Sequence, residues 1–299
     1  MKRKSLERVG WPTILSFLLP GFTGFLLFIF IPMISTLGVA FTNYSGGPNW
    51  KFIGLRNFQI LLTSPQFHQS LKVTLTFAVY TVILQILMGL LFAVLLNQQL
   101  RGKTFFRSLF FMPNVLSTVG VSLAFSMICN PALGFANQIL AGLGLPGSAW
   151  LTSTDTALMS IIIVTLWMSF GYYMIIFLGG LQSINPALYE AASIDGATGF
   201  QSFYKVTLPM LSPTMFFAMT ISIIGSFKVF DQVFMMTGGS LGGGPAGSTN
   251  VVVFDVYLNS FTHYKFGYAS AESLILLLIV LAITLIQFRN QKKWVTYDI

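Results

Sequence analysis

Two apolar stretches of the chain carry polar and aromatic side chains at helical spacing. In the first stretch, Thr165, Ser169 and Tyr172 lie at i, i+4 and i+7, so they share one helix face. Trp167 and Tyr173 lie beside this stripe. Hydroxyl groups match the hydroxyls of a sugar and aromatic faces stack on pyranose rings, so the stripe could line a solute path. The alternative is helix packing, because serine and threonine also allow close contact between membrane helices.

The second stretch carries Ser222 and Ser226 at i, i+4, followed by Lys228 and Asp231. Solute contact and helix packing explain the two serines equally well. Lys228 and Asp231 are opposite charges three residues apart at the end of an apolar stretch, and ionisable groups in such places are functional candidates. We expect them to pair with each other, either along a solute path or as a structural ion pair at an outer gate.

A short water-soluble patch, EAASIDGATGFQSFYKVTLPMLSP at residues 190–213, separates the two stretches. Its pattern predicts two short helices joined by a bend. Asn185 can cap the first helix ahead of Pro186, and Gly196 can end it in a left-handed conformation. Thr198 and Gln201 fit a capping box for the second helix.

The second predicted helix carries an apolar stripe formed by Phe200, Phe203 and Tyr204. Proline disfavours helix at the residue before it, so Leu208-Pro209 is expected to end this helix. Such a stripe either packs against its own protein or docks onto a soluble partner.

Enzymatic and metal-dependent functions find no support in the sequence. The chain has one cysteine, Cys129, and two histidines far apart, His68 and His263, so no metal cluster is predicted. No Ser/His/Asp set or carboxylate pair suggests catalysis. RGKT, which begins at Arg101, ends like a phosphate-binding loop, but Asn97 stands where that loop requires glycine. We therefore predict no catalytic residue, no metal and no ATP site.

The composition indicates a membrane protein. Hydrophobic residues make up 55% of the chain, charged residues 8%, and the mean hydropathy is +0.77, whereas soluble domains carry about 25% charged residues. We predict an all-α integral membrane protein with a single transmembrane domain over residues 1–299. Six spans are predicted at residues 12–42, 72–97, 105–129, 156–181, 211–235 and 269–288. The first is expected to be an uncleaved helix that is kinked or interrupted near Pro20 or Pro32.

Basic residues are concentrated in alternate segments between the predicted spans. The basic residues of one set are Lys2, Arg3, Lys4, Arg8, Arg101, Lys103, Arg107, Lys205, Arg289, Lys292 and Lys293, against Lys51, Arg56 and Lys265 in the other. Cytoplasmic loops carry the excess of lysine and arginine, so both termini and the loop at about 182–209 are predicted to be cytoplasmic. The net charge of +8 then reflects topology, and no nucleic-acid partner is predicted.

Three motifs together point to a family. EAASIDGA, followed by Phe203 and Leu208-Pro209, resembles the EAA loop of ABC importer permeases. FKVFDQVFMMTGGSLGGGPAGST at 227–249 is similar to the segment after the fifth span in the carbohydrate-uptake branch, although its glycine-rich part is slightly longer than usual. FGYASA at 266–271 resembles the start of the last span in that branch. With the topology, the resemblance covers nearly the whole chain.

The resemblance implies an ABC importer permease fold, with a cytoplasmic coupling helix between spans four and five. Glu190 would be the acid that contacts an ATPase subunit, and Gly196 would make the bend. The residues implied to shape the docking face are Ala191, Ala192, Asp195 and Ala197. A substrate site is implied on spans four and five.

The resemblance also implies partners and a location. These are a second homologous permease subunit, two ATPase subunits that carry ATP and Mg²⁺, and an extracytoplasmic solute-binding protein. The implied substrate is a sugar or oligosaccharide, and the implied location is the lipid bilayer of the bacterial cytoplasmic membrane.

Other functions compete with this interpretation. A self-sufficient ion-coupled secondary transporter usually shows inverted repeats and matching broken helices; we find no convincing repeat, and such a carrier has no use for a docking patch. A membrane anchor or membrane enzyme leaves the patch unexplained. Glycerol phosphate transporters share the carbohydrate branch, so the sequence does not separate that substrate from a sugar.

Overall fold

The structure, a computed structural model, describes residues 11–98, 101–239 and 242–296. Within these ranges it is helical, and its one β-bridge, between Thr42 and Phe52, is isolated. In chain order, the helices are α1 (Trp11–Val39), α2 (Arg56–Thr63), α3 (Pro65–Asn97), α4 (Lys103–Val115), α5 (Thr118–Ile128), α6 (Phe135–Gly142), α7 (Ala157–Ser183), α8 (Pro186–Ile194), α9 (Gly199–Met210), α10 (Ser212–Ser226), α11 (Asp231–Met236), α12 (Val252–Tyr257) and α13 (Phe266–Gln291).

Some sequence features used above lie outside the described ranges. They are the basic residues Lys2, Arg3, Lys4 and Arg8, and Ser240 and Leu241 of the glycine-rich stretch. The predicted orientation, which depends partly on those basic residues, therefore stays a prediction.

The predicted all-helical, multi-span architecture is confirmed. Four helices in the described ranges, α1, α3, α7 and α13, are long and apolar enough to cross a membrane, with 29, 33, 27 and 26 residues. Two bent pairs, α4 with α5 and α9 with α10, raise the number to six if each pair forms one span. The first span runs unbroken from Trp11 to Val39, so the interruption expected near Pro20 or Pro32 is not present; a π-helical turn, Leu26–Phe30, lies between the two prolines instead.

The predicted third span, 105–129, is broken into two helices, α4 and α5. Helices α4 and α5 meet at an angle of 93°. Pro113 lies in the last turn of α4 and has no N–H to donate, and Leu116 is extended, with φ −72° and ψ 151°. Ser117 then caps α5 by accepting a hydrogen bond from the Gly120 amide at 3.5 Å.

The fifth span also departs from its predicted bounds of 211–235. Its helix, α10, ends at Ser226, and α11 begins only at Asp231. Between them the Lys228 amide bonds to the Gly225 carbonyl at 3.1 Å, and Phe230 takes φ −144° and ψ −58°. Hydrophobicity does not reveal this break, because Phe227 and Val229 within it are hydrophobic and buried, with exposed fractions of 3% and 7%.

Leu208-Pro209 does not end α9 as predicted, because the helix continues to Met210 and bends by 63° before α10. A π-helical turn, Phe203–Thr207, precedes the proline, and the Leu208 amide bonds to the Phe203 carbonyl in this wider spacing. The turn leads into Pro209, which occupies the first turn of the next helical stretch, where its missing N–H costs little.

A buried polar network fixes α12 between α3 and α13. Asp255 of α12 accepts hydrogen bonds from Gln66 at 2.6 Å and Ser70 at 3.3 Å, both on α3. On the other side, the Asn259 amide donates to Glu272 of α13 at 3.1 Å. Both carboxyl groups are buried. Their hydrogen bonds hold a short helix that hydrophobicity alone does not predict.

Two glycines allow the central helices α3, α4 and α7 to pack closely against one another. Gly89 of α3 faces Tyr173 of α7, where a Cβ on the glycine would lie 2.7 Å from the Tyr173 Cβ. Gly171 of α7 faces α4, where a Cβ would overlap the carbonyl oxygen of Phe110. Helix backbones in membranes approach this closely only across small residues.

We expect Gly171→Ala to destabilise the protein by about 1–3 kcal/mol, because the new methyl group meets backbone that has no room to move. Gly179→Ala is the matched control, since this glycine is on the same helix and a Cβ added to it would have no neighbouring atom within 4 Å. Thermal unfolding of both purified variants measures the difference. Equal midpoints for the two would contradict the close packing of α7 on α4.

Candidate functional site

A polar cavity of about 310 Å³ lies among α3, α5, α7, α10 and the break before α11. Most predicted solute-path residues line this cavity: Thr165, Ser169, Tyr173, Ser222, Ser226, Lys228 and Asp231. The polar lining is completed by Thr81, Gln85, Thr118 and Gln232. The helix break is part of the wall, which suits a membrane protein because irregular backbone there is tolerated where it lines a cavity.

Gln85 joins three helices at this cavity. Its side-chain nitrogen donates to the Ser169 hydroxyl of α7 at 2.7 Å, and its side-chain oxygen accepts from the Ser222 hydroxyl of α10 at 2.6 Å. Gln85 itself is on α3 and is 5% exposed. The amide therefore ties together the two spans that flank the water-soluble patch.

Trp167 and Tyr172 lie outside the lining. The Trp167 ring packs on Phe125 of α5 with 5.3 Å between centroids. The Tyr172 ring meets Tyr173 edge-on at 5.4 Å. Because Tyr173 is i+4 from Ser169, it continues the hydroxyl stripe that the sequence had assigned to Tyr172, and it is the tyrosine that reaches the cavity.

Lys228 and Asp231 reach the same cavity, but they do not form an ion pair in the described part of the chain. Both side chains are exposed. The expected Lys228–Asp231 pair is therefore not present, because the break after Ser226 separates the two residues into different local elements.

The sequence interpretation missed Thr81, Thr118 and Gln232 of the cavity lining and, most importantly, Gln85. It stands in a strongly apolar span, and its neighbours Phe77 and Thr81 at i−8 and i−4 line the same cavity. A lone amide within such a span is a signal by the rule that polar groups in membrane helices mark functional positions. Its partners on α7 and α10 are more than 80 residues away, so they could not be assigned without the tertiary structure.

The water-soluble patch forms the predicted helical pair, which we term the EAA segment (residues 185–210). The Asn185 side chain caps α8 by accepting from the Ala187 amide at 3.0 Å. Gly196 takes φ 74°, and the Ala197 amide reaches back to the Ala192 carbonyl at 2.9 Å. This is a left-handed helix end of the kind that favours glycine.

The capping box of α9 is also confirmed. The Thr198 amide donates to the Gln201 side chain at 2.8 Å, and the Gln201 amide donates to the Thr198 hydroxyl at 3.3 Å. Tyr189 of α8 contacts Thr207 through a hydroxyl–hydroxyl bond of 3.0 Å. Local capping and one long-range bond thus give the EAA segment a defined shape.

The family-motif side of the EAA segment is open to the surroundings. Glu190, Ala191, Asp195 and Gly196 are exposed, and Ala192 and Ala197 are half-buried. Large apolar side chains of the segment are exposed as well: Ile194, Phe200 and Tyr204. Phe203, the third member of the predicted stripe, is half-buried and lines a pocket with Tyr189 and Thr207.

Comparison with known proteins identifies the family. Residues 85–295 match the family described as binding-protein-dependent transport system inner membrane component. The multiple sugar-binding transport system permease protein MsmF of Streptococcus mutans is 35% identical, and the match covers 98% of each chain. The sn-glycerol-3-phosphate transport system permease protein UgpA of Agrobacterium fabrum is 34% identical over 84% of each.

The fold has a close counterpart among solved structures. A bacterial ABC transporter involved in the import of the acidic polysaccharide alginate superimposes with a TM-score of 0.82 and 26% identity, over 94% of this chain and 95% of that one. The chain therefore belongs to the binding-protein-dependent inner membrane components, the permease subunits of ABC importers.

Proposed function

We propose that this chain forms half of a translocation path for a sugar or oligosaccharide in an ATP-driven importer. The observation that carries the proposal is the cavity of hydroxyl and amide groups between α7 and α10, the two helices joined by the EAA segment. A path in this position connects solute binding directly to the part of the chain that partners can reach from outside the membrane.

The lining of the cavity suits a carbohydrate. Hydroxyls of Thr165, Ser169, Ser222 and Ser226 offer many weak, neutral hydrogen-bond partners, and Tyr173 adds an aromatic ring. A solute held by such groups can also be released. The relative MsmF belongs to a multiple sugar-binding transport system, which supports the same substrate class.

The second candidate substrate is a glycerol phosphate-type solute. Lys228 lines the cavity and can contact a phosphate, and UgpA belongs to an sn-glycerol-3-phosphate transport system. Asp231 in the same lining opposes this candidate, because its carboxylate repels an anion.

The EAA segment would be the docking site for a cytoplasmic ATPase subunit. Its support is the exposure of Glu190 together with Ile194, Phe200 and Tyr204, since apolar side chains outside the membrane gain free energy when a partner covers them. Small alanines beside the acid allow close approach. The ATPase subunits would supply ATP and Mg²⁺, and this chain would have no enzymatic activity of its own.

The rest of the assembly follows from the open side of the cavity. Lys228 and Asp231 are exposed although they line the solute cavity, so a second, homologous permease subunit would complete the enclosure. A solute-binding protein outside the cytoplasmic membrane would deliver the sugar, in agreement with the family description. We propose that both termini and the EAA segment are cytoplasmic.

Reconstitution tests the function. Proteoliposomes that contain this chain, its permease partner and the ATPases should take up a neutral sugar such as maltose or trehalose only with ATP on the ATPase side and the binding protein on the other. The isolated chain should hydrolyse no ATP. Uptake that is driven by an ion gradient without the ATPases would establish the secondary-transporter alternative instead.

Glu190→Ala is expected to weaken docking of the ATPase at least about tenfold, because a charge left unpaired in a partly buried contact is costly. The variant should still fold, since Glu190 is exposed on this chain and alanine favours helix. Co-purification of the ATPase and sugar uptake measure the effect. Asp155→Ala, at another exposed acid, is the control. If Glu190→Ala assembles and transports like the control, the EAA segment is not the docking site.

The orientation has a direct test. A reporter that is active only in the cytoplasm should be active when it is fused after Ile299 or inserted at Gly199 in the EAA segment, and inactive at Gly47 in the first loop. An active reporter at Gly47 together with an inactive one at Gly199 would reverse the proposed topology.

A further inference from the structure

Four hydroxyl groups that line the cavity all donate their protons to acceptors within the protein. We define the acceptor wall as Thr165, Ser169, Ser222 and Ser226, all of which line the cavity. Three of them donate their single proton to a backbone carbonyl of their own helix: Thr165 to Ile161 at 2.8 Å, Ser169 to Thr165 at 2.7 Å and Ser226 to Ile223 at 2.8 Å. A hydroxyl that has donated its proton presents lone pairs alone.

Ser222 differs from the other three because its proton goes to another helix. Its hydroxyl donates to the side-chain oxygen of Gln85 at 2.6 Å. Ser169 sets the direction of that amide: its own proton is used by the Thr165 carbonyl, so it must accept from the nitrogen of Gln85. The nitrogen therefore points to Ser169 and the oxygen to Ser222.

We propose that Gln85 is a positioning residue that determines specificity at this cavity: by taking the Ser222 proton it completes the acceptor wall, which favours neutral, hydroxyl-donating carbohydrates over their phosphate esters. A sugar hydroxyl can donate to the wall, whereas a phosphate oxygen is an acceptor and meets only lone pairs. This inference rests on the proposed function and narrows its substrate class.

The rest of the lining does not reverse this preference. Donor groups also line the cavity outside the acceptor wall, on Thr81, Thr118, Tyr173 and Gln232. These neutral donors suit the lone pairs of a sugar, while a phosphate dianion is best held by several charge-assisted bonds. Lys228 and Asp231 carry opposite charges in the same lining, so together they add no net charge.

The test measures binding to the purified permease–ATPase complex without the binding protein, so that the cavity alone makes the choice. Saturation-transfer NMR in nanodiscs would compare trehalose with trehalose 6-phosphate, and glycerol with glycerol 3-phosphate. Each pair differs by one phosphate. We expect the neutral member to bind about tenfold more tightly, because lone pairs that face each other leave buried acceptors unsatisfied.

Three variants assign the preference to Gln85. Gln85→Met keeps the length of the side chain but returns the Ser222 proton to the cavity, so the preference for the neutral member should fall severalfold while the complex stays assembled. Gln85→Glu still accepts from Ser222 and should keep the preference. Thr76→Val is the matched control and should keep the preference: Thr76 is on the same helix as Gln85, its hydroxyl donates to the Lys72 carbonyl at 2.8 Å, and it is not part of the cavity lining.

The outcomes separate the inference from the proposed function. Transport of neutral sugars by the reconstituted importer together with equal or tighter binding of the phosphate esters would overturn the acceptor wall and leave the function intact. An unchanged preference in Gln85→Met would remove Gln85 from the explanation. Should Gln85→Met fail to fold, loss of the preference in Gln85→Glu would likewise contradict the proposal. Asp231→Asn checks the charged part of the lining: a preference that vanishes when this carboxylate is removed would assign selectivity to charge repulsion.

Discussion

The arrangement of this protein depends on the close packing of α7 against α3 and α4. Gly89 and Gly171 remove the side chains that would keep these backbones apart, and buried residues such as Phe177 and Met174 fill the remaining space around them. In a membrane the helices gain little from the hydrophobic effect between them, so close contact and interhelical hydrogen bonds hold them together. The Gln85–Ser169 bond crosses this same interface. The polar cavity and the structural core therefore share one helix–helix interface.

Interrupted helices turn this core into a site. The bend between α4 and α5 and the break between α10 and α11 bring Thr118, Val229 and Gln232 to the cavity, positions that straight spans would have carried past it. Pro113 lies just before the first interruption. The second is an irregular turn at 227–230. Backbone irregularity within an apolar protein is costly unless its polar groups find partners. Both breaks lie beside the cavity, where such irregular backbone is tolerated.

The cavity and the EAA segment are built by opposite means. Hydrogen bonds between distant helices shape the cavity, whereas caps made within a few residues shape the EAA segment. A locally folded, exposed element can move as a unit when a partner pulls on it. The Tyr189–Thr207 bond and the continuity of α9 into α10 connect that unit to the membrane helices. The proposed coupling between an ATPase partner and the cavity requires both properties.

The amino-acid sequence by itself determined the features that arise from neighbouring residues. Apolar runs specified the membrane class, and Asn185, Gly196, Thr198 and Gln201 specified the caps and the bend, because all their bonding partners lie within five residues. The EAA motif carried the family, which the match over residues 85–295 establishes. Most of the polar cavity residues could also be named, since helical periodicity places i, i+4 positions on one face.

Only the tertiary structure decided what depends on distant residues. The role of Gln85, the exclusion of Trp167 and Tyr172 from the cavity, and the separation of Lys228 from Asp231 all follow from how helices far apart in sequence meet. The helix breaks escaped hydrophobic periodicity, because Phe227 and Val229 stay buried through the irregular turn. Hydropathy indicates which residues are buried, and residues before and after a helix bend can be equally hydrophobic. The direction of the chain is set instead by contacts that form only on folding.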